Sequence, residues 1–229
     1  MICYINENIK FLSEHRKQSP IRISNAIGLT AKRITSFINK KNTPNAMECM
    51  LFAEYFNIPV GTLLSLNLKK HNELINSFDF RFLVLDIDGV MTDGGMYYTE
   101  SGDEFKKFNA KDGLAIIRLI NEGKKVGFLS SGINKNIIQN RAKLLGIQHF
   151  YVGAWKKLEV LESWCKELNI SLKNVAYIGD DLNDLAIIEK VGLSACPNDA
   201  IAEVKEKVNF VLSLQGGKAC VREFIDLFL

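Results

Sequence analysis

The sequence predicts an α/β domain built on a parallel β-sheet, preceded by a small all-α domain. Three observations predict this organisation. Residues 1–70 show only helical periodicity, whereas from residue 80 short β-rich segments alternate with helical ones. The charge also changes sign, because residues 1–70 hold ten Lys and Arg against four Glu, and residues 71–229 hold nineteen basic against twenty-two acidic residues. Such a split is typical of two domains with different partners. We place these domains at residues 1–72 and 78–229.

Composition argues against several classes of protein. No apolar run approaches the roughly 18 residues that a membrane span needs, and the start, MICYINENIK, lacks the order of a signal peptide. We therefore expect a cytoplasmic protein with no membrane partner. The five cysteines and three histidines are scattered without a C-x-x-C pair, so the sequence suggests neither a disulfide framework nor a zinc site.

The first domain is predicted to contain about five short helices. Apolar residues recur at helical spacing in the segments INENIKFLSEHR, RISNAIGL, TAKRITSFINK and NAMECMLFAEYF. Gly28 separates the second and third of these segments, and Thr30 has the position of an N-cap for the third. Two short helices joined in this way form the helix-turn-helix pattern.

Residues 5–68 resemble the lambda-repressor-like family, in which the second helix of the motif enters the major groove of DNA. Two residues depart from the family pattern, Pro20 where Gln is frequent and Lys40 where Gly is frequent. The alternative is a basic helical domain that contacts other subunits or protein partners. The resemblance implies base contacts by Lys32, Arg33 and Ser36 and phosphate contacts by Lys40 and Lys41.

In the second domain, six apolar segments are predicted strands, and helical segments separate most of them. Strands that alternate with helices of this length form a parallel sheet covered on both faces, with functional residues at the carboxyl ends of the strands. The predicted strands are RFLVLDI, KKVGFLS, HFYV, NVAYIGD, GLSAC and NFVLSL. The predicted helices are KDGLAIIRLINEG, NKNIIQNRAKLLG, AWKKLEVLESWCKELN and DLNDLAIIEKVG.

Polar residues follow three of these strands. Asp86 and Asp88 end the first, Ser130 and Ser131 end the second, and residues 179–184, GDDLND, follow NVAYI. Up to five carboxylates at one sheet edge would repel each other without a cation, and oxygen ligands with phosphate chemistry favour Mg²⁺. Each of these features alone has a purely structural explanation, since a D-x-D occurs in surface loops and a strand-ending Ser is usually a cap. Their order along the chain carries the prediction.

With D-x-D-G-V-x-T, a strand-ending Ser, a Lys and G-D-D-x-x-D in this order, residues 80–229 resemble the haloacid dehalogenase superfamily of phosphatases, which implies a Rossmann-like domain. A carboxylate can attack phosphorus to form an aspartyl-phosphate, and Asp86, which ends its strand, is the predicted nucleophile. Asp88 is the predicted general acid and then general base.

The resemblance also implies the remaining roles at this site. Mg²⁺ would be held by the Asp86 carboxylate, the backbone carbonyl of Asp88 and Asp180. Ser131 would hydrogen-bond the phosphoryl group, and Lys157 would balance its charge. Supporting roles fall to Asp181 and Asp184.

Only 37 residues separate Asp93 from Ser131, which leaves no room for a cap domain. A β-hairpin flap fits instead, with strands at Met96–Thr99 and Glu104–Phe108 around a Ser101-Gly102 turn. Capless members with DGxxYY…KxFNxxDG resemble the phosphatases of 3-deoxy-octulosonate 8-phosphate and of nonulosonate 9-phosphates. This resemblance implies a homotetramer in which the hairpins pack together.

The same motifs supply candidate substrate contacts: Gly132, Lys135, Asp112 and Arg222. Ile133 stands where those relatives usually carry a charged residue, so Lys135 is an alternative partner for a substrate carboxylate, and a different phosphorylated sugar is the alternative substrate. Gly216 and Gly217 would let the chain approach the site, or this region is simply a loop before an amphipathic closing helix.

The sequence therefore predicts a Mg²⁺-dependent phosphomonoesterase for a phosphorylated keto-sugar acid, with DNA as a candidate partner of the first domain. The alternative is a transcription regulator whose phosphatase-like domain senses a phosphorylated sugar with little or no turnover, and the two roles are compatible.

Overall fold

The computed structural model describes residues 3–153 and 156–229. The chain divides into two compact units, Met1–Ser77 and Phe78–Leu229. Within the described part of the chain, no helix has the combination of length and apolar character required to cross a lipid bilayer.

The described part of the first unit contains six helices, one more than the sequence suggested. Gly28 has the left-handed φ of 73° that glycine adopts without strain, and it ends the second helix. Thr30 caps the third helix, as predicted, because its hydroxyl accepts the backbone N–H of Arg33 at 3.2 Å. The helices are α1 Ile5–His15, α2 Pro20–Ile27, α3 Ala31–Ile38, α4 Ala46–Phe56, α5 Val60–Ser65 and α6 Leu68–Ser77. Their core is formed by buried residues that include Ile9, Ile23, Ile34, Phe37, Phe52 and Leu63.

The second unit contains a parallel sheet of six strands in the order β5-β4-β1-β6-β7-β8. All six predicted apolar segments form these strands. The register pairs Leu85 with Phe128 on one side and with Ile178 on the other, so the first strand is central. The strands are β1 Phe82–Leu85, β4 Lys125–Ser130, β5 His149–Val152, β6 Val175–Ile178, β7 Leu193–Cys196 and β8 Phe210–Val211.

The predicted hairpin lies between β1 and the next helix, but its strands are shorter than predicted. They cover β2 Tyr97–Tyr98 and β3 Glu104–Phe105, which pair antiparallel. Gly102 closes the turn at a φ of 88°. The hairpin is therefore a short flap attached to the sheet domain.

Helices connect the strands as the alternation predicted, with two differences: one predicted helix is largely replaced, and one helix was not predicted. The predicted helix over residues 181–192 is replaced by a tight turn, Leu182–Asp184, and one helical turn, because the Asp184 side chain folds back to accept backbone N–H groups. The start predicted at residue 154 lies outside the described residues. The helices are α7 Ala110–Asn121, α8 Lys135–Leu145, α9 Lys157–Glu167, α10 Leu185–Ile188, α11 Ala202–Lys207, which the sequence did not suggest, and α12 Cys220–Phe228.

Both faces of the sheet are buried at its central strand, β1. Phe82 and Val84 of β1 belong to a core with residues of α9 and α10, including Leu161 and Ile187. Leu83 and Leu85, which alternate with them along the strand, are also fully buried. Burial on both faces explains why β1 is a continuous apolar run that ends abruptly at Asp86.

Candidate active site

The carboxyl ends of β1, β4 and β6 meet at a cleft of about 340 Å³. The three strands are neighbours and run in the same direction, so the residues that follow them converge at one edge of the sheet. The residues that follow these strands therefore lie close together at one edge of the sheet, as the sequence predicted. The cleft is lined by Asp86, Asp88, Gly94, Met96, Tyr98, Glu104, Lys106, Ser131, Gly132, Ile133, Asp180, Asp181 and Asn183.

Asp86 is buried at the end of β1 and pairs with Lys157. The Lys157 Nζ lies 2.8 Å from Asp86 Oδ1 and 2.8 Å from Asp184 Oδ1. Burial, followed by the charge of Asp184, raises the pKa of Asp86 well above its ordinary value, and Lys157 opposes this effect. One ammonium is therefore shared by two buried carboxylates at the strand end.

Asp184 has donors on both carboxylate oxygens. Its Oδ1 accepts from Lys157 and from the Tyr177 hydroxyl at 2.6 Å, and its Oδ2 accepts the backbone N–H of Asp180 at 2.9 Å. The residue is fully buried. Since its oxygens are already bonded, Asp184 is suited to position Lys157 and the Asp180 loop.

Three carboxylates are close enough to share a cation. Ligand oxygens of Asp86, Asp180 and Asp184 lie within 4.8 Å of one another. Asp180 Oδ1 is buried without a hydrogen-bond partner, which leaves a ligand atom in place. Burial and then Asp184 raise the pKa of Asp180 to about 7. An unpaired buried oxygen beside a second carboxylate fits a hard divalent cation such as Mg²⁺.

The turn after β1 depends on the absence of a side chain at Gly89. Gly89 has a φ of +88°, and a Cβ there would lie 2.1 Å from Asp180 Oδ2. Gly216 approaches the same turn, since a Cβ there would lie 2.0 Å from the Gly89 carbonyl oxygen. The expected approach of this glycine segment to the site is thus observed, and both positions require glycine.

The Asp88 side chain is hydrogen-bonded by a lysine of the flap. Lys106 Nζ donates to Asp88 Oδ1 at 2.6 Å and lies 2.8 Å from Glu104 Oε1. Burial opposes the charged ammonium, but the hydrogen bonds to the two carboxylates outweigh it and raise the pKa of Lys106. The ammonium is therefore charged at neutral pH.

The loop after β4 supplies hydroxyl and backbone groups. Ser131 Oγ accepts from Asn183 Nδ2 at 2.9 Å, and Ser130 Oγ accepts the backbone N–H of Gly132 at 3.0 Å. Ser131 and Gly132 line the cleft, whereas Ser130 is fully buried. Asn183 links this loop to the one after β6.

The other residues predicted from the motifs lie elsewhere. Lys135 borders an adjoining groove with Tyr98 and Glu104. Asp112 is fully buried, and its Oδ1 accepts the backbone N–H of Arg222 at 2.7 Å. A residue with no exposed surface cannot contact a substrate, so its predicted binding role is corrected to anchoring the start of α12. The Arg222 guanidinium pairs with Asp226 and does not line the cleft.

In the first unit, the predicted DNA contacts differ in their surroundings. Lys32 and Lys41 are exposed. Arg33 makes two hydrogen bonds to Glu48, at 2.9 and 3.2 Å, so two of its guanidinium donors are used within the domain. Lys40 pairs with Glu7 at 2.5 Å. The remaining candidate, Ser36, donates to the carbonyl of Arg33 at 2.6 Å.

Sequence reasoning missed Lys106, Glu104 and Asn183. Asn183 lies inside the GDDLND segment, so its position in the motif was a usable signal. Lys106 and Glu104 lie two residues apart in the flap, and nothing in the pattern EFKKFN shows which of its lysines turns inward.

Comparison with known proteins points to the same superfamily of hydrolases that the sequence motifs resemble. Residues 133–219 match the family of haloacid dehalogenase-like hydrolases. The 3-deoxy-D-manno-octulosonate 8-phosphate phosphatase of Escherichia coli strain K12 is 38% identical over 151 residues, which are 66% of this chain and 80% of that protein.

Two crystal structures extend the likeness to the fold. The 3-deoxy-D-manno-octulosonate 8-phosphate phosphatase of Moraxella catarrhalis, in complex with magnesium ion, phosphate ion and KDO, matches with a TM-score of 0.66 and 31% identity over 69% of this chain and 91% of that chain. The cobalt-bound deoxy-D-mannose-octulosonate 8-phosphate phosphatase of Haemophilus influenzae matches with a TM-score of 0.63 and 35% identity over 69% of this chain and 90% of that chain.

Proposed function

The chain belongs to the haloacid dehalogenase-like hydrolases, as a phosphatase similar to those that act on 3-deoxy-D-manno-octulosonate 8-phosphate, and we propose that it hydrolyses the phosphate ester of a keto-sugar acid. The observation that carries the proposal is the position of Asp86, a carboxylate at the end of the central strand that faces the cleft beside Lys157 and Asp180. This is the position from which a carboxylate can attack a bound phosphoryl group.

In the first step, a carboxylate oxygen of Asp86 attacks phosphorus. The bond to the sugar oxygen breaks, its electron pair stays on that oxygen, and Asp88 gives the oxygen a proton. Ser131 and Lys157 stabilise the charge on the transferring phosphoryl oxygens. The product is an aspartyl-phosphate on Asp86.

In the second step, Asp88 takes a proton from water as the water oxygen attacks phosphorus. The bond between phosphorus and Asp86 breaks, and inorganic phosphate leaves with the carboxylate restored. Mg²⁺, bound by Asp86, Asp180 and the Asp88 backbone carbonyl, would neutralise charge between the nucleophile and the phosphate. Asp181 lines the cleft beside this set and Asp184 supports it from below.

The reaction is tested by phosphate release from 3-deoxy-D-manno-octulosonate 8-phosphate, a nonulosonate 9-phosphate and common sugar phosphates, with Mg²⁺ or with EDTA. We expect Mg²⁺-dependent release, with a sugar acid as the best substrate. Asp86→Asn should abolish turnover, while Asp226→Asn, an exposed aspartate of α12, should retain it. Retained turnover in Asp86→Asn would remove Asp86 as the nucleophile, and no release from any substrate would reject the function.

The flap supports a proposed homotetramer. Met96, Tyr98 and Phe105 expose 68%, 56% and 54% of their surface, which is unusual for side chains of this size on one short hairpin. Light scattering of the purified chain should give four times the mass of the 25.8 kDa protomer. A monomer at micromolar concentration would contradict the assembly.

We propose DNA as the partner of the first unit, supported by its basic charge and by exposed Lys32 and Lys41 in and after α3. Replacing both by Ala should weaken duplex binding and lower the slope of log affinity against log salt by about 1, because only Lys41 is the predicted phosphate contact of the two. The matched control replaces Lys69 and Lys70 of α6 by Ala. Absence of any duplex binding at low salt would favour a protein partner.

A further inference from the structure

Lys106 is the least exposed charged group that the flap sends into the cleft. Its side chain is 6% exposed, and its two partners, Asp88 and Glu104, are 37% and 11% exposed. Burying an ammonium is costly unless carboxylates compensate it, and Glu104 supplies a second carboxylate from the same hairpin. The arrangement therefore fixes the Lys106 ammonium at one point beside Asp88.

The two oxygens of Asp88 have different surroundings. Oδ1 accepts from Lys106 at 2.6 Å. Oδ2 faces the loop after β4, because a Cβ at Gly132 would lie 3.5 Å from it. Gly132 follows Ser131 at the place where the phosphoryl group is proposed to bind. With Oδ1 occupied, Oδ2 is the oxygen left to face the reacting atoms.

We propose that Lys106 is a positioning residue, which holds Asp88 Oδ1 so that Oδ2 is the atom that delivers and later removes the proton. This role rests on the proposed function, because it concerns the proton carried by Asp88. With this role, the flap contributes to the reaction of its own chain, because Lys106, the residue that orients Asp88, directly follows the end of β3 at Phe105.

An alternative role for Lys106 is to bind an anionic group of the substrate directly. The geometry favours positioning, since the ammonium is already bonded to two carboxylates and its side chain is nearly buried. The two roles differ in their kinetics. Loss of a substrate contact raises KM, whereas loss of orientation lowers the rate of proton transfer without raising KM.

The leaving group provides a second distinction. A sugar alkoxide needs a proton as the ester bond breaks, but p-nitrophenolate leaves without one. A misoriented acid therefore slows transfer from a sugar phosphate and leaves transfer from p-nitrophenyl phosphate almost unchanged. Removal of a proton from water in the second step is needed with either substrate.

The test compares Lys106→Met with Lys107→Met, its exposed neighbour, in the full chain with Mg²⁺. For Lys106→Met on 3-deoxy-D-manno-octulosonate 8-phosphate, we expect kcat to fall about 10- to 100-fold with no rise in KM. With p-nitrophenyl phosphate, the pre-steady-state burst of p-nitrophenolate should keep its wild-type rate while later turnover slows. Lys107→Met should match wild type in both assays.

Lys106→Arg keeps the positive charge and should recover part of the lost kcat, which also covers the case in which the Met variant does not fold. Three results would overturn the role: unchanged kcat in Lys106→Met, a raised KM, or equal slowing of the first step with both leaving groups. If one of these results is obtained while the wild-type chain still turns over its substrates, only the role of Lys106 is rejected, and the phosphatase function is retained. A wild-type chain that releases phosphate neither from p-nitrophenyl phosphate nor from any sugar phosphate of the release assay rejects that function and the role of Lys106 together.

Discussion

Replacing Asp112 by asparagine tests how the second unit responds to pH. Burial, opposed by hydrogen bonds from the backbone of Arg222 and Val221, raises the pKa of Asp112 from its ordinary value of 3.8 to about 6. The folded state therefore binds this proton more tightly than the unfolded chain does. The resulting contribution to stability is fully present below pH 3.8 and is lost as the pH rises through about 6.

The size of the effect follows from the pKa difference. At about 1.36 kcal/mol per pKa unit, the change from 3.8 to about 6 corresponds to about 3 kcal/mol of unfolding free energy. Asparagine has the shape of the protonated acid and keeps an oxygen to accept the Arg222 N–H. The stability of Asp112→Asn relative to wild type should therefore grow by about 2 to 3 kcal/mol between about pH 4 and about pH 7.

Urea unfolding followed by tryptophan fluorescence is suited to this measurement, because both tryptophans, Trp155 and Trp164, belong to the second unit. Comparing variant with wild type at each pH cancels the other titrating groups. Asp226→Asn is the control, since the hydrogen bond from Arg222 lowers the pKa of that exposed carboxyl and its difference should not grow. A constant difference for Asp112→Asn across this range would mean that Asp112 is ionised in the fold, which would refute the reasoning.

Three further changes test the site and the first unit. Asp180→Asn replaces the carboxylate, one oxygen of which is buried without a partner, by a neutral amide and should shift the Mg²⁺ dependence of activity to higher concentration, so an unchanged midpoint in a Mg²⁺ titration would exclude it as a ligand. Lys157→Met leaves Asp86 without its cation and should lower kcat about 100-fold or more, and a smaller loss in steady-state assays would show that this charge is not needed. Thr30→Ala removes the α3 cap and should cost the first unit about 1 kcal/mol in thermal unfolding followed by circular dichroism, without any change in kcat.

The sheet and the acidic cluster were predictable because both depend on short-range patterns. Apolar runs marked all six strands, and parallel pairing then placed the residues after β1, β4 and β6 at one edge. Those rules follow from strand geometry and need no knowledge of side-chain contacts.

The errors arose where side chains decide the local structure. The helix predicted over residues 181–192 yields to a turn because Asp184 bonds the backbone N–H of Asp180, a contact that periodicity does not report. Asp112 has the charge of a binding residue, but it points into the core. Lys106 and Lys107 are adjacent residues of the same type, and the sequence does not show that the first of them, which directly follows β3, bonds Asp88.

The turn that follows β1 is completed by residues from far along the chain. The backbone N–H of Gly217 donates to the carbonyl of Val90 at 3.0 Å, and Cys220 Sγ donates to the same oxygen at 3.3 Å. During synthesis, Asp86 leaves the ribosome more than a hundred residues before these supports exist. A nascent chain arrested before residue 216 would therefore carry every acidic residue of the cleft and still lack a formed site, so activity should appear only once this segment has cleared the exit tunnel.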